Sequence, residues 1–413
     1  MSRMSDLIKK LCPSGVEFKT LGETGTFIRG NGLQKSDLVD TGIAAIHYGQ
    51  IHTFYDTWAT KTISYVDPTK ALRLRKAKPG DLVIATTSEN DDAVGKAVAW
   101  LDDHDVAVSG DAYIYRHSLE PKYVSYFFQS DQFRSQKQRS ITGTKVRRIS
   151  GDKLAKIVIP VPPIEVQREI AKVLDHFKEI EAEIEAEIEA ELEARQRQYA
   201  YYRDSLLTFH ESSEVQKIPM GDVGEFIRGN GIQKSDFTES GVGAIHYGQV
   251  HTHYGTFADK TLSYVSPALA ARLRHARTGD LVIATTSEDD AAVGKAVAWL
   301  GKDDVAVSGD AYIYRHSLNP KYVSYFFQTE QFRAQKMRKI TGTKVRRLSG
   351  EALARITIPV PSVEEQERIV AILDKSNALV SDLSIGLPAE LADRRKQYEY
   401  YRDHLLTFEE KVA

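Results

Sequence analysis

The longest regular alternation of apolar and polar positions runs through residues 164–209, a stretch without glycine or proline. Its apolar residues recur at spacings of three and four, the period of one face of an α-helix. The tetrapeptide Glu-Ile-Glu-Ala repeats within it and places eight glutamates, from Glu179 to Glu193, on the other faces. The stripe consists of Ile170, Val173, Leu174, Phe177, Ile180, Ile184, Ile188 and Leu192. A helix of this length spans about 70 Å and cannot bury such a stripe alone.

A second helical segment, residues 363–408, carries a stripe of its own and is the expected partner of the first. Its apolar positions are Ile369, Ile372, Leu373, Leu379, Leu383 and Leu391. The sequence Gly386-Leu-Pro388 interrupts this segment. Because proline lacks a main-chain N–H and clashes with the preceding turn, we expect a kink or a break there.

The remaining sequence has the shorter periods of β-strands. Leu82–Thr87 is a continuous apolar run opened by a Gly-Asp turn, and Ala112–Tyr115 alternates. Ala97–Trp100 and Asp105–Val108 flank polar residues as the strands of a hairpin would. Residues 123–139 lack glycine and proline and suit one helix, and residues 157–163 form a last strand closed by prolines. The pattern predicts a mixed α and β domain with a curved sheet.

The chain contains this domain twice. Residues 25–162 align without a gap to residues 224–361, and 101 of these 138 pairs are identical. The 199-residue register continues through the helical segments, where the identity falls. We therefore predict an α+β protein with two domains, at residues 1–162 and 211–361. Each is followed by a spacer helix, at residues 163–210 and 362–413.

Composition restricts the class of protein. The chain has 42% apolar and 27% charged residues, as soluble globular proteins have. The sequence contains no run of eighteen apolar residues, so it predicts no membrane span. The N-terminal residues do not resemble a secretory signal. Cys12 is the single cysteine and cannot form an internal disulfide, so we expect a cytoplasmic location.

The net charge of −2 hides a segregation of charge. Residues 16–162 contain 20 lysines and arginines against 17 acids, a balance of +3, whereas residues 163–209 contain 6 against 12, a balance of −6. Residues 133–148 and 332–347 are basic and contain no acid. Two such segments indicate contact with phosphate groups, which the acidic helices should repel.

We predict double-stranded DNA as the partner of these segments. A glycine between two threonines adds main-chain N–H and hydroxyl donors for phosphate. The candidates for this contact are Thr142, Thr144, Lys145, Arg147 and Arg148, with Thr341, Thr343, Lys344, Arg346 and Arg347 in the second copy. Replacing Lys145 and Arg147 with alanine is expected to weaken binding to every DNA sequence and to flatten its salt dependence.

Polar side chains that occur unchanged in both copies are candidates for contact with bases. Arginine suits guanine, and asparagine or glutamine suits adenine, because each can form two hydrogen bonds to one base. These candidates are Arg29, Asn31, Gln34, Lys35, Tyr48, Gln50, Ser109 and Asp111, with Arg228, Asn230, Gln233, Lys234, Tyr247, Gln249, Ser308 and Asp310 in the second copy. The alternative for Asn31 and Asp111 is that their side chains hold turns together through bonds to their own local backbone.

Signatures of catalysis are weak. Gly30-Asn-Gly-Leu-Gln-Lys-Ser lacks the glycine that a phosphate-binding loop has before its lysine, and no methyltransferase motif occurs. Asp81, Glu89 and Lys96 are too loosely spaced to favour a nuclease over turn residues. His47 and His52 have no third ligand nearby, so we predict no metal site and no catalytic residue.

The ends of the two domains resemble a known family. The segment Ile141-Thr-Gly-Thr-Lys-Val-Arg-Arg, then Ile157-Val-Ile-Pro-Val-Pro-Pro with Gln167 and Leu174-Asp175, resembles the end of a target-recognition domain in type I restriction-modification specificity subunits. The second copy carries Ile356-Thr-Ile-Pro-Val-Pro-Ser with Gln366 and Leu373-Asp374. The two-copy plan extends this resemblance over nearly the whole chain.

The resemblance implies a fold and a set of partners. Two target-recognition domains would be separated by an antiparallel, coiled-coil-like helix pair, and each would recognise half of a bipartite DNA target. The chain would be non-catalytic and would dock two methyltransferase subunits that carry S-adenosylmethionine. Restriction subunits that use ATP and Mg²⁺ would join for cleavage, and this chain would need no cofactor of its own.

One departure from the family's pattern is the near identity of the two domains, which usually differ. Two like domains facing opposite ways should recognise the same half-site on opposite strands, which predicts a palindromic or near-palindromic target with a central gap. Two alternatives to the function of a type I specificity subunit stay open. The chain could be a stand-alone two-headed DNA-binding repressor, or the specificity chain of a system that fuses methylation and cleavage in one partner.

Overall fold

The structure is a computed structural model that describes residues 2–210 and 214–411. The predicted limits at residues 1, 211 and 413 lie outside these residues. The chain forms two compact units, of which the first combines two separate segments and the second is continuous. Unit 1 comprises Met1–Glu187 and Pro388–Ala413, and unit 2 comprises Ile188–Leu387. Each unit therefore contains one copy of the repeated domain, the beginning of the helix that follows it and the end of the other long helix.

The first copy is a mixed α/β domain. Its strands are β1 (Glu17–Thr20), β2 (Gly25–Arg29), β3 (Leu38–Val39), β4 (Ile43–Ile46), β5 (Trp58–Ala59), β6 (Tyr65–Val66), β7 (Lys76–Ala77), β8 (Leu82–Ala85), β9 (Thr87–Ser88), β10 (Lys96–Trp100), β11 (Val106–Val108), β12 (Ala112–His117), β13 (Arg147–Arg148) and β14 (Val158–Val161). Its helices are α1 (Ser2–Leu11), α2 (Leu21–Thr24), α3 (Tyr48–Thr53), α4 (Pro68–Ala71), α5 (Pro121–Phe127), α6 (Asp131–Gln138) and α7 (Gly151–Leu154), with a 3-10 turn at Lys35–Asp37.

Two five-stranded sheets form the centre of the domain, in the orders β2-β12-β8-β10-β5 and β3-β6-β4-β11-β7. Strand β8 is buried on both faces, which explains its uninterrupted apolar sequence. Val83 and Ala85 pack in a cluster with Trp100 and Val108, whereas Leu82 and Ile84 pack with the helices of the domain. The two-stranded pairs β1-β14 and β9-β13 complete the domain.

Two local predictions for this domain were wrong. Strands β10 and β11 do not form a hairpin, because β10 belongs to one five-stranded sheet and β11 to the other. The predicted helix at residues 123–139 is divided into α5 and α6. Ser130 begins α6 as its N-cap, with its Oγ accepting a hydrogen bond from the N–H of Phe133 at 3.3 Å.

The second copy repeats this architecture, with the same strand orders in its sheets. Its strands are β15 (Gln216–Pro219), β16 (Gly224–Arg228), β17 (Phe237–Thr238), β18 (Val242–Ile245), β19 (Phe257–Ala258), β20 (Ser263–Val265), β21 (His275–Ala276), β22 (Leu281–Ala284), β23 (Thr286–Ser287), β24 (Lys295–Trp299), β25 (Val305–Val307), β26 (Ala311–His316), β27 (Arg346–Arg347) and β28 (Thr357–Val360). Its helices are α9 (Met220–Val223), α10 (Tyr247–Thr252), α11 (Pro267–Ala270), α12 (Pro320–Phe326), α13 (Glu330–Met337) and α14 (Gly350–Ala354), with a 3-10 turn at Lys234–Asp236.

The two long helices are α8 (Ile164–Leu206) and α15 (Val363–Leu405), of 43 residues each. In unit 1 the beginning of α8 and the end of α15 run antiparallel. The ring of Phe177 stacks on that of Tyr401 at 6.0 Å, and Arg395 binds Glu181 at 3.3 Å and Glu185 at 2.7 Å. Among the described residues, none of the helices combines the length and the apolar character that crossing a membrane requires.

The predicted break in the second long helix is absent. Helix α15 continues through Pro388 from Val363 to Leu405. A proline removes one main-chain donor, so hydrogen bonding can resume on both sides of it. Upstream of the proline, Ser384 Oγ donates to the carbonyl of Val380 at 2.7 Å, as a helical serine can.

Each long helix is joined to its own domain through a buried glutamine. Gln167 is 2% exposed, accepts a hydrogen bond from the N–H of Glu120 at 2.9 Å and donates to the carbonyl of Pro162 at 2.7 Å. About two helical turns further along α8, the Asp175 carboxylate accepts hydrogen bonds from Lys122 Nζ at 2.5 Å and from the Tyr126 hydroxyl at 2.7 Å. The equivalent residues of unit 2, Gln366 and Asp374, make the same contacts.

The far end of each long helix contacts the other copy of the domain. In unit 1 the Asp403 carboxylate accepts from the N–H of Asp131, the first residue of α6, at 3.1 Å. In unit 2 Asp204 accepts from the N–H of Glu330, the first residue of α13, at 3.2 Å. A carboxylate at a helix N-terminus accepts a hydrogen bond from an otherwise free N–H group and interacts favourably with the positive end of the helix dipole.

Replacing Gln167 with leucine should destabilise unit 1 by about 1–3 kcal/mol, because the Glu120 N–H and the Pro162 carbonyl would stay buried without partners. Thermal unfolding of the full chain measures this effect. The Gln366→Leu variant should lower the stability of unit 2 similarly, and exposed Lys153→Ala is the control. Unfolding of Gln167→Leu at the wild-type temperature would contradict this role.

Candidate nucleic-acid interface

The loops that carry the predicted base-contacting residues converge in each copy. The main-chain N–H of Gly30 donates to the Ala112 carbonyl at 2.9 Å, and Arg29 Nε donates to the Gly110 carbonyl at 2.9 Å. The N–H of Tyr48 donates to Ser109 Oγ at 2.8 Å. Residues 29–35, 48–50 and 109–111, far apart in sequence, therefore form one cluster of loops.

The basic segment adjoins this cluster through the end of strand β8. The N–H of Thr86 donates to the Asp111 carbonyl at 3.1 Å, and the N–H of Ile149 donates to the Thr86 carbonyl at 3.1 Å. Arg148 then pairs with Thr87 in the β9-β13 ladder. We call the combined surface of residues 29–35, 48–50, 109–111 and 142–148 the loop face. The equivalent loop face of unit 2 is built by the same contacts.

Asn31 holds the loop face together instead of pointing free amide groups outwards. Its Nδ2 donates to the Arg73 carbonyl at 2.9 Å, and its Oδ1 accepts from the N–H of Arg75 at 2.7 Å. Asn230 forms the same pair of bonds at 3.1 and 2.8 Å. Both ends of the amide are therefore used within the protein, although in bonds to a distant segment and not in a turn of its own as the structural alternative had it.

Gln50 and Ser109 are also engaged internally. Gln50 Oε1 accepts from the N–H of His47 at 2.9 Å, while its Nε2 donates to Ser64 Oγ at 2.6 Å. Ser109 is 1% exposed. Gln249 and Ser308 make the equivalent contacts. These side chains shape the loop face, and the structure gives them no free group for contact with a base.

The side chains with free polar groups lie at the rim of the cluster. Gln34 and Lys35 are exposed, and the N–H of Gln34 donates to Asp37 at 2.7 Å at the start of the 3-10 turn. The side chain of Arg29 is 60% exposed and lies 4.0 Å from the Asp111 carboxylate. Tyr48 is half-buried, with its ring 4.6 Å from that of His47. Arg228, Gln233, Lys234, Tyr247 and Asp310 occupy the same positions in unit 2.

The basic segment folds into a tight loop closed by the bridge between Thr142 and Arg148. Gly143 has a φ of 93°, and a Cβ there would lie 2.1 Å from the Val146 carbonyl oxygen, so only glycine fits. Arg147 donates to the Gly143 carbonyl and so braces the loop. In the second copy Thr341, Gly342, Arg346 and Arg347 form the same loop.

The basic segment contains no acidic residue of its own, but an acidic side chain from elsewhere in the domain lies beside it. Asp91 accepts hydrogen bonds from two of the three guanidinium nitrogens of Arg147, Nε and Nη2, with Nη2 at 2.6 Å from Oδ2. This hydrogen-bonded pair lowers the pKa of Asp91. In unit 2 Arg346 Nε lies 2.9 Å from Asp290. The charge of Arg147 is therefore partly balanced before any DNA binds.

Lys137 was included in the basic segment but is not at the surface. It is 4% exposed and donates to the carbonyls of Asp92 and Val94, both at 2.7 Å. Burial lowers its pKa to about 8. Within the part of the chain that is described, the side chains of Thr144, Lys145 and Arg148 are exposed and make no hydrogen bond or ion pair. Thr343, Lys344 and Arg347 are equally free.

Three of the residues considered for catalysis or metal binding, Asp81, His47 and His52, have structural partners. Asp81 is 4% exposed, accepts from the N–H of Lys78 at 2.8 Å and pairs with Arg116 at 2.8 Å. His47 Nδ1 accepts from the N–H of Gly49 at 3.2 Å, and His52 Nε2 lies 3.0 Å from the Thr87 carbonyl. No group of three metal-ligating side chains occurs among the described residues.

Three contributors to the loop face were missed in the sequence. Arg73 and Arg75 anchor Asn31, and Arg75 Nη1 also donates to the Arg29 carbonyl at 2.7 Å. Asp91 is separated from Arg147 by 56 positions. The one available signal was that all three residues are unchanged in the second copy, as Arg272, Arg274 and Asp290.

Comparison with known proteins identifies the class to which this architecture belongs. A model of the type I restriction modification DNA specificity domain matches residues 13–194 and, a second time, residues 212–392. The chain belongs to the family of type I restriction-modification specificity subunits, as the motifs at the ends of its domains indicated.

Relatives of known class agree with this assignment. A putative type I restriction enzyme specificity subunit of Haemophilus influenzae is 31% identical over 334 residues, which cover 76% of this chain and 78% of that protein. The specificity subunit of the type I restriction enzymes EcoR124I and EcoR124II of Escherichia coli is 32% identical over 63% of this chain and 65% of that subunit.

Two solved structures share the fold. One, from work on complex assembly and conformational transition of the type I R-M system, has a TM-score of 0.73 at 19% identity and covers 95% of this chain and 98% of its own. The other is the HsdS subunit from Thermoanaerobacter tengcongensis, with a TM-score of 0.60 at 17% identity over 96% and 97%. They confirm the predicted fold of two mixed α/β domains with long helices.

Replacing Asn31 with alanine should destabilise unit 1 by about 0.5–1.5 kcal/mol for each of the two lost hydrogen bonds, since the Arg73 carbonyl and the Arg75 N–H are exposed and can bind water instead. Thermal unfolding of the full chain should show this loss. Exposed Lys35→Ala, four positions away, is the control and should leave the unfolding temperature unchanged. An unchanged unfolding temperature of the Asn31→Ala chain would contradict the structural role of Asn31.

Proposed function

We propose that this chain is the non-catalytic, sequence-recognising subunit of a type I restriction-modification complex. The observation that supports the proposal most directly is the duplicated loop face, where Lys145, Arg148, Lys344 and Arg347 are exposed cations without a partner in the described chain. Exposed lysine and arginine beside a cluster of polar loops are suited to contact the DNA backbone.

In this proposal each unit recognises one half of a bipartite target in double-stranded DNA. Arg29, Gln34, Lys35 and Tyr48 are the side chains that remain available for contact with bases, with their counterparts in unit 2. Arginine and glutamine can each make two hydrogen bonds to one base edge in the major groove. Lys145 and Arg148 add contacts that position the domain and carry no sequence information.

The target is proposed to be palindromic or nearly so. Every side chain of the loop face that was predicted to contact DNA is identical in the two copies. The internal hydrogen bonds that shape the loop face recur as well, as at Asn31 and Asn230. Two equivalent loop faces recognise two equivalent half-sites, separated by bases that neither unit contacts, and α8 and α15 would set the length of that gap.

The enzymes of the proposed complex are its partners. Two methyltransferase subunits would dock on this chain and methylate an adenine in each half-site with S-adenosylmethionine. Restriction subunits would supply ATP- and Mg²⁺-dependent cleavage, and this chain would hold no cofactor. The Escherichia coli relative is named as the specificity subunit of restriction enzymes, which supports this arrangement.

Replacing Lys145, Arg148, Lys344 and Arg347 with alanine should weaken binding of the full chain to all duplex sequences. The slope of log affinity against log salt concentration should fall by up to about one for each cation that contacts a phosphate. Fluorescence anisotropy with a labelled duplex, measured at several salt concentrations, gives this slope.

The control for that experiment is the Arg147→Ala, Arg346→Ala variant. Because Asp91 and Asp290 already pair with these arginines, their removal should change the slope less than removal of the free cations. Replacement of Lys145 and Arg147 together would remove one free cation and one that is paired with Asp91. An unchanged slope in the variant without the four free cations would exclude them from phosphate contact.

Deletion of the gene should abolish adenine methylation at a two-part palindromic motif in the source organism. Long-read detection of modified adenines in cells with and without the gene measures both the motif and its gap. An asymmetric motif would contradict the palindrome and leave the function intact. If no mark depends on the gene, selection of binding sites by the purified chain would test the repressor alternative.

A further inference from the structure

A cationic cavity lies at the equivalent place in each unit, where the repeated domain meets a long helix. In unit 2 it has a volume of about 450 Å³ and is lined by Arg203, Lys295, Arg333 and Lys336. In unit 1 it has a volume of about 260 Å³ and is lined by Arg402, Lys96, Arg134 and Lys137. These residues correspond pairwise at a separation of 199 positions.

The two cavities differ in their acids. In unit 1 Asp56 and Asp92 line the cavity, and Asp56 also binds Lys178 Nζ at 2.6 Å. The corresponding residues of unit 2 are Gly255, Ala291 and Asn377. No described residue that lines the unit 2 cavity is acidic. Unit 2 therefore has the same four cations without the two carboxylates that line the unit 1 cavity, and Asp289 and Asp290, which act on Lys336 electrostatically, lie outside its lining.

The cations of unit 2 are held by neutral groups or incompletely paired. Lys336 is 4% exposed and donates to the carbonyls of Ala291 and Val293 at 2.7 Å. Lys295 Nζ donates to the His251 carbonyl at 3.1 Å. Arg203 contacts Asp204 at 3.4 Å, while its Nε is buried and has no hydrogen-bond partner in the described chain. Arg333 alone has a closer acidic partner, Glu330 at 3.1 Å.

Such a site is electrostatically incomplete. Buried or half-buried cations are normally paired, and a buried donor without an acceptor is destabilising. A guanidinium and an ammonium group together suit an anion with several oxygens, since arginine offers parallel N–H donors and lysine a compact charge. The volume leaves room for such an anion together with water.

We propose that the unit 2 cavity binds a phosphate group through Arg203, Lys295, Arg333 and Lys336, and that the unit 1 cavity does not. The phosphate is either a free ion or a backbone phosphate of DNA, because both offer the same oxygens. Asp56 and Asp92 serve as built-in anions in unit 1, so that a phosphate there would meet two like charges.

The test transfers the acids of unit 1 to unit 2. Inorganic phosphate is titrated into the full chain against sodium chloride of equal ionic strength, and binding is followed by calorimetry and by thermal stabilisation. The variant Gly255→Asp, Ala291→Asp restores both carboxylates, and Gly255→Asn, Ala291→Asn is its neutral control of similar size. A Cβ at Gly255 meets no atom within 4 Å, and Ala291 is exposed, so these side chains fit without strain.

Wild type and the asparagine variant should bind phosphate at one saturable site. The aspartate variant should bind about tenfold more weakly or not at all, because two carboxylates repel the anion. Stabilisation by phosphate no greater than by chloride would overturn the proposal. Equal binding by the aspartate and asparagine variants would overturn it too, since the anion would then lie elsewhere.

A second titration identifies the source of the phosphate. If a non-specific duplex displaces inorganic phosphate from the wild-type chain, and the aspartate variant binds that duplex more weakly than the asparagine variant does, the ligand is a backbone phosphate. If duplex and phosphate bind together without competition, the ligand is the free ion. In both cases the site in unit 2 stands, whether or not the target proves palindromic.

Discussion

The contact between the first turns of each long helix and its domain is the constraint on which the rest of the structure depends. Gln167 bridges the end of the last strand and the start of α5 from a fully buried position. Asp175 gathers a lysine, a tyrosine hydroxyl and the indole N–H of Trp58. Burial and the bond to this carboxylate raise the pKa of Tyr126, so the hydroxyl stays a donor. The helix therefore leaves the domain in a fixed direction.

That fixed direction explains why unit 1 combines two separate segments of the chain. The helix that starts on one domain ends on the other, where Asp204 or Asp403 binds the first N–H of a short helix. Each domain thus needs the start of one long helix and the end of the other. The repeat satisfies this need twice, because residues 204 and 403 are themselves related by 199 positions. Identity between the copies is high at these contacts and low along the exposed faces of the helices.

The sequence predicted what depends on local periodicity and failed where pairing is not local. The long helices follow from apolar spacing, and the doubly buried strand at Leu82–Ala85 from its continuous apolar run. The predicted hairpin was wrong because the partners of a strand can come from anywhere in the domain. The predicted single helix at residues 123–139 was wrong because Ser130 is the N-cap of a second helix, which the absence of glycine and proline did not reveal. In the loop face, burial of Lys137 and pairing of Arg147 with Asp91 depend on tertiary packing that no window of sequence contains.

The duplication allows two features of the units to be compared separately, the loop face and the cationic cavity. The loop faces have the same predicted DNA-contacting side chains and the same internal bonds in both units, as the proposed recognition of equivalent half-sites would require. The cavities beside the long helices share four cations, but only the cavity of unit 1 is lined by acids, Asp56 and Asp92. A change of two acids to neutral residues alters the local field without touching a base-contacting side chain. If the proposed function and the proposed phosphate site both hold, two units would recognise the same sequence and differ only in the charges that line their cavities.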